Sequence, residues 1–148
     1  YAGMFFAITG LMIVLFALGA LFAGIAAFLF IGGRLRDTEL ELVDMIVWEK
    51  ARIGMGYRSR RTSEYLVVLQ KRPKRAKDVW KDHTIPDVWR ERAQKSHPHA
   101  KPVELQKRLI ESVTLPEEWV LDPAAGSYSV LAACRAAGRR FLGGDLLG

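Results

Sequence analysis

The pattern of apolar and polar positions divides the chain at Gly33. From Met4 to Gly32 the sequence reads MFFAITGLMIVLFALGALFAGIAAFLFIG, an apolar run of 29 residues with one Thr and no Pro. About 20 such residues cross a bilayer core as a helix. The run is apolar on every face, unlike the amphipathic helix of a protein surface, so it predicts a single transmembrane helix over residues 4–32. Gly19, Ala23 and Ala27 recur every four residues, as do Ala20 and Gly24. Small residues at that spacing let helices approach closely in lipid, which makes other transmembrane helices the expected partners. No positive segment precedes the run, which argues against a cleaved signal peptide. The competing reading is a buried strand and helix inside an α/β core, with Ile13–Phe16 as the strand.

After Gly33 the pattern changes to short elements. Leu35 to Leu42 is charged and Leu-rich and predicts a short helix. Val43 to Trp48 (VDMIVW) and Tyr65 to Leu69 (YLVVL) predict strands, the second buried on both faces. Gly54 and Gly56 mark a loop between them. Arg72 to Arg92 is polar and broken by Pro73 and Pro86, an irregular connection anchored by Trp80 and Trp89. Pro102 suits the first turn of a helix reaching Val113, with Leu105, Leu109 and Ile110 on its apolar face. Trp119 to Leu121 predicts a strand, Val130 to Ala137 a helix ended by Gly138, and Arg140 to Gly143 a further strand. No internal repeat occurs.

Charge sharpens this division. Residues 1–33 carry no charged side chain, so the net charge of +6 lies entirely beyond them. Arg52, Arg58, Arg60, Arg61, Lys71, Arg72, Lys74, Arg75 and Lys77 are opposed in their stretch only by Glu64. Such a concentration suits a polyanion, either nucleic acid or an anionic membrane surface, or forms a solvated face. Arg34, Arg36 and the basic stretch place the polar piece in the cytoplasm if the apolar run spans a membrane; without a span the whole chain is cytoplasmic. Cys134 is the sole cysteine, which excludes an internal disulfide and a cysteine-based zinc cluster. His97 and His99 lack a third ligand nearby, so no metal is expected.

The last stretch carries the chemistry. A strand, the small-residue loop Asp122-Pro-Ala-Ala-Gly-Ser, a helix and a second strand ending in Asp145 form the opening of a doubly wound nucleotide-binding fold. Gly126 admits a ligand close to the backbone, and Asp145 follows it at about the spacing from which an acid reaches ribose hydroxyls. The G-x-G-x-x-G fingerprint is absent, so spacing alone also fits a βαβ turn without a ligand.

Two segments in order, His97-Pro-His-Ala-Lys-Pro-Val-Glu-Leu and Val120-Leu-Asp-Pro-Ala-Ala-Gly-Ser, resemble the S-adenosylmethionine-dependent DNA methyltransferases that act on exocyclic amino groups of adenine or cytosine. Their order matches the β group of that family. Trp48-Glu-Lys, Gly54-Met-Gly and Ser63-Glu-Tyr-Leu-Val-Val resemble the segments those enzymes carry just before, and the resemblance covers about Leu35 to Gly148. It implies S-adenosylmethionine as cofactor and DNA as partner. By the same resemblance His97, Lys101 and Pro102 border the methionine part of the cofactor. Asp122, Pro123, Ala125, Gly126 and Ser127 form the loop beneath it, and Asp145 holds the ribose. Ala100 stands where the family usually has Gln, and Tyr128 where it usually has Gly, so a ring is expected to crowd that loop.

The family's catalytic element is Asp, Asn or Ser followed by Pro-Pro and an aromatic, which grips the amine of the flipped base. No Pro-Pro step occurs in these residues. The expected architecture is therefore an α/β, partial doubly wound methyltransferase sheet preceded by a transmembrane-like helix. Residues 1–33 are the helix, 34–96 a basic segment with the late strands, and 97–148 the cofactor-binding remnant. Its two retained halves are expected not to touch, because the strands between them are missing. The expected function is that of a methyltransferase fragment inactive alone. The alternative is a single-span membrane accessory subunit with a cytoplasmic C-terminal piece. The initial Tyr and the composition break at Gly33 suggest a processed, fused, frameshifted or truncated product.

Overall fold

The computed structural model describes residues 3–7, 12–17, 39–54, 59–71, 79–93 and 100–145. Seven strands and two helices follow one another there: β1 (Gly3–Ala7), β2 (Met12–Ala17), β3 (Leu40–Gly54), β4 (Arg61–Lys71), β5 (Val88–Arg90), α1 (Val103–Val113), β6 (Trp119–Asp122), α2 (Ser129–Ala137) and β7 (Arg140–Gly143). The strands form one sheet in the order β5-β3-β4-β2-β1-β6-β7.

That order overturns the transmembrane reading of residues 4–32. The described parts of the apolar run are an antiparallel pair of strands, Gly3 opposite Phe16 and Ala7 opposite Met12. Among the described residues no helix is long and apolar enough to cross a membrane. The expected membrane location and the expected transmembrane partners lose their basis with the helix. Gly19, Ala20, Ala23, Gly24 and Ala27 lie outside the described residues. The physical cause is an ambiguity of pattern. A central strand is covered on both faces and reads as a continuous apolar run, and a run without polar positions has no period to tell strand from helix.

The pair also corrects the expected gap. β2 lies antiparallel to β4, with Met12 opposite Gln70 and Ala17 opposite Tyr65. β1 lies antiparallel to β6, with Phe6 opposite Leu121. The two halves are thus joined through the apolar strands. The sheet is mixed, not doubly wound: only β3 with β5 and β6 with β7 run parallel. The helix expected over Leu35 to Leu42 is also corrected, since β3 has already begun at Leu40.

β5 is a further correction, since Val88–Arg90 pairs with β3 inside the stretch expected to be an irregular connection; the remaining elements follow their sequence cues. Leu66 to Gln70 are buried in succession, as a strand covered on both faces requires. Both helices pack into one core: Leu105, Leu109 and Ile110 of α1 and Val130, Ala133, Cys134 and Ala137 of α2 meet Ile46, Trp48, Leu66 and Val120 of the sheet. Gly138 ends α2 with a φ of 66°, the left-handed turn that glycine adopts without strain.

Pro102 offers no side-chain cap to α1. Glu91, just past β5, supplies it from a distance. Its carboxylate accepts the backbone N–H groups of Glu104 and Leu105, each at 3.0 Å, and the Trp89 indole N–H at 2.8 Å. Its carbonyl accepts the Trp48 indole N–H at 2.8 Å. A negative charge here meets the positive end of the helix. Replacing Glu91 with alanine is expected to lower stability by about 1–2 kcal/mol, read as a lower urea midpoint at an unchanged m-value. An unshifted midpoint would show that solvent caps the helix as well.

Candidate functional site

β6 and β7 are parallel and in level register, Trp119 opposite Arg140 and Asp122 opposite Gly143. Their C-terminal ends therefore open on the same edge of the sheet, where open α/β sheets bind their ligands. Two short loops meet there. The Ala125 N–H donates to the Gly144 carbonyl at 3.0 Å, and the Gly144 N–H to the Asp122 carbonyl at 3.3 Å. Gly126, with a φ of 48°, turns its N–H to Oδ2 of Asp145 at 2.9 Å. The two ends of the βαβ unit are thus joined by an acid on one and a left-handed glycine on the other.

Tyr128 is the N-cap of α2 and also left-handed, with a φ of 54°. Its ring meets Phe141 of β7 edge-on, 6.4 Å between centroids. This contact draws the ring toward β7. Pro123 is exposed, Ala125 buried and Ser127 half-buried.

Asp122 is 2% exposed and accepts the Ala124 N–H at 3.1 Å. Burial pushes its carboxyl up from 3.8 to about 6; the Ala124 hydrogen bond opposes the rise and the charge of Asp145 adds to it. Between those values the folded chain keeps a proton that the unfolded chain has released. Stability therefore falls as pH rises through this window, by about 3 kcal/mol across it. Asp122→Asn keeps an acceptor for Ala124 and is expected to abolish this fall, leaving the variant more stable than the parent at neutral pH. Urea midpoints at mildly acidic and neutral pH test this, and a parent profile already flat would refute it.

A second polar group lies across the sheet. The strand directions place the N-terminal half of β4 toward the edge on which β6 and β7 end. There Glu64 of β4, 7% exposed, is held by two ammonium groups, with Lys50 Nζ at 2.8 Å from Oε1 and Lys101 Nζ at 2.7 Å from Oε2. Burial raises the Glu64 carboxyl, but the hydrogen bonds and charges of Lys101 and Lys50 outweigh it and leave the group below its ordinary value. Lys50 also lies 5.8 Å from the centre of the Trp48 ring. Lys101 itself is buried, directly before the buried Pro102 that opens α1.

The structure thus gathers Asp122, Gly126 and Asp145 at one set of loops and sets Lys101 and Pro102 at the start of the helix packed beside α2. His97 lies outside the described residues, as do Arg58, Arg72, Lys74 and Arg75; of Arg52 only the backbone is described. Arg60 is exposed and Arg61 half-buried, at the start of β4. Lys71 stands at the other end of that strand, paired with Glu39 at 2.9 Å. Sequence reasoning missed the roles of Glu64, Lys50 and Glu91, whose partners are distant in the chain. One signal existed: Glu64 is the lone acid in the basic stretch. Among the described residues no group of three or more His, Cys, Asp or Glu could hold a metal ion.

Comparison with known proteins bears on these loops. A family model described as DNA methylase, covering N6 and N4 methyltransferases, matches residues 29–147. The type II methyltransferase M.HhaII of Haemophilus parahaemolyticus is 55% identical over 109 residues, 73% of this chain and 48% of that protein. The putative methylase YubD of Escherichia coli (strain K12) is 46% identical over 65 residues, 43% of this chain and 29% of that protein. The chain thus spans about half, or less, of the length of these relatives. Among solved structures, the M1.HpyAVI–SAM complex superposes with a TM-score of 0.65 at 24% identity, covering 89% of this chain and 66% of that one. The cytosine-N4-specific PvuII DNA methyltransferase does so with a TM-score of 0.67 at 14% identity, covering 82% and 52%.

Proposed function

The chain belongs to the DNA methylase family of N6 and N4 methyltransferases, and from that premise we propose that it is the S-adenosylmethionine-binding part of such an enzyme and does not transfer methyl groups by itself. The observation that carries the reading is the closure of the Asp122 loop by Asp145, whose carboxylate holds the Gly126 N–H at 2.9 Å. A fixed carboxylate beside a left-handed glycine at the carboxyl end of parallel strands is the arrangement that receives a nucleoside.

The residues present suit such a ligand. Asp145 is an acceptor for ribose hydroxyls, held in place by the loop it closes. Gly126 has no side chain to keep a ligand from the backbone, and the Tyr128 ring has a partner in Phe141. Lys101 and Pro102 border the methionine end. Once bound, S-adenosylmethionine supplies an electrophilic methyl group on its sulfonium. This chain's part is to bind and orient it. DNA is the substrate in this reading, with Arg60 and Arg61 offering charge to phosphates on the same edge. No Pro-Pro step exists in these residues to position a target amine, so the group that grips the flipped base must come from outside them.

Calorimetric titration of the whole chain with S-adenosylmethionine tests the first half of the proposal. Saturable binding is expected, and Asp145→Ala and Gly126→Val should each remove it. The first deletes the acceptor; the second forces a β-branched residue into a backbone conformation it rarely adopts. A folded parent chain that binds nothing would sink the proposal. Radiolabelled methyl transfer to DNA by the chain alone is expected to stay at background, and incorporation above it would refute the inactive half.

A further inference from the structure

We infer that Glu64 is a positioning residue for the cofactor's amino-acid end, acting by holding Lys101 in place from the far side of the sheet. The inference rests on the cofactor reading above and adds a residue to it. Lys101, given a cofactor role there, is bonded to a carboxylate of β4 at 2.7 Å with both groups buried. β4 and β6 are separated by β2 and β1, so three strand spacings, about 14 Å, lie between the Glu64 strand and the Asp122 strand. A ligand with a ribose at Asp145 and a charged amino-acid tail has two polar ends, and the edge offers a polar anchor at each side.

The geometry around Glu64 favours a fixed orientation over a loose ion pair. Each carboxylate oxygen has its own ammonium partner, Lys50 on Oε1 and Lys101 on Oε2. Lys50 is steadied in turn by the face of Trp48, directly opposite Glu64 in the register of β3 and β4. Glu91 fixes the first turn of α1 two residues beyond Pro102. Lys101 is therefore held through its side chain by one carboxylate, and the helix that follows it is held through its backbone by another. Two lysines share the charge of Glu64, so the three groups together are cationic, which suits an approaching carboxylate.

The test compares two ligands, one with the amino-acid end and the sulfonium charge and one with neither. S-adenosylmethionine carries the amino-acid tail, and 5′-methylthioadenosine keeps the nucleoside and lacks it. Both are titrated into the whole chain, the Glu64→Gln variant and the Lys101→Met variant. Lys101→Met leaves Glu64 paired with Lys50, and Glu64→Gln keeps an acceptor oxygen for one lysine while turning an amide NH2 donor toward the other, so each variant is first checked for folding by its urea transition. Both are expected to weaken S-adenosylmethionine about tenfold, the loss of one charge-assisted contact, and to leave methylthioadenosine unchanged. Equal weakening of both ligands, or of neither, would make the cluster purely structural and overturn the inference. Weakening by Lys101→Met without any by Glu64→Gln would remove Glu64 from the role. A parent chain that binds methylthioadenosine but not S-adenosylmethionine would overturn this inference while sparing the nucleoside site; one that binds neither ligand would sink the cofactor reading itself.

Discussion

Replacing Gly143 with alanine is expected to destabilise the chain by about 3 kcal/mol, more than the same change at Gly54, Gly126, Gly138 or Gly144. A Cβ at this position would stand 2.4 Å from the Asp122 carbonyl oxygen and 2.6 Å from the Phe141 ring. The ring could turn aside, but the carbonyl belongs to β6 and also accepts the Gly144 N–H. Relief would require β6 and β7 to separate at their C-terminal ends, where the proposed cofactor loops begin. Gly144→Ala is the control, because a Cβ there meets nothing within 4 Å. Urea unfolding of the two variants decides the matter. A loss at Gly143 no larger than at Gly144 would mean that the loops yield freely.

Glu64→Ala is expected to be comparably severe, at about 4 kcal/mol, because it removes the carboxylate shared by the buried Lys101 and the half-buried Lys50. The loss belongs to charges kept out of water with one carboxylate fewer, not to the intrinsic strength of the pairs. Adding Lys101→Met to Glu64→Ala should therefore restore part of the stability, which a thermodynamic cycle measures. If the second change brings no recovery, the stranded-charge explanation fails. The pH dependence has a definite sign. The Glu64 carboxyl is lowered in the folded chain, so its contribution is present above its ordinary value of 4.5 and is lost as pH falls below that. Asp122 acts in the opposite sense over a neighbouring window, its destabilising ionisation growing up to about pH 6. The parent chain should be most stable in mildly acidic solution. Asp122→Asn should flatten the neutral side of the profile, and Glu64→Gln the acidic side.

The site was legible to the extent that its residues are close in sequence. The Asp122 loop, α2 and β7 follow one another between Asp122 and Gly143, and local cues placed each of them. Small residues at 124–126 predicted the turn, Ala-rich positions the helix, and Gly138 its end. The contact between Asp145 and Gly126 bridges only 19 positions. The spacing that suggested an acid beside a ribose is the spacing of that hydrogen bond. Lys101 presents the opposite case. The family pattern marked it for a role at the cofactor, but its ion partner lies 37 positions away, and no periodicity links the two. Glu91 as the cap of α1 is a similar case, since Pro102 predicted where the helix begins and nothing nearby indicated what would satisfy its free N–H groups.

The apolar run marks the boundary most sharply. By itself the sequence determined that residues 4–32 must be removed from water, because no polar position interrupts them. It determined the centres of β3 and β4, the strands β6 and β7, the helices α1 and α2 and the absence of a Pro-Pro element, but not β5, which lies in a stretch that reads as an irregular connection. Hydrophobicity alone does not say whether lipid or protein does the burying. For the described part of the run only the tertiary structure decided between helix and strand, by setting Gly3–Ala7 and Met12–Ala17 between β4 and β6, where each strand has hydrogen-bonded neighbours on both sides. The same pairing joined two halves that the sequence had left apart and made the sheet mixed. The physical reason is that strand pairing is satisfied by backbone groups common to every residue. The sequence sets which segments can be strands, and the neighbours available in the folded chain set which of them pair.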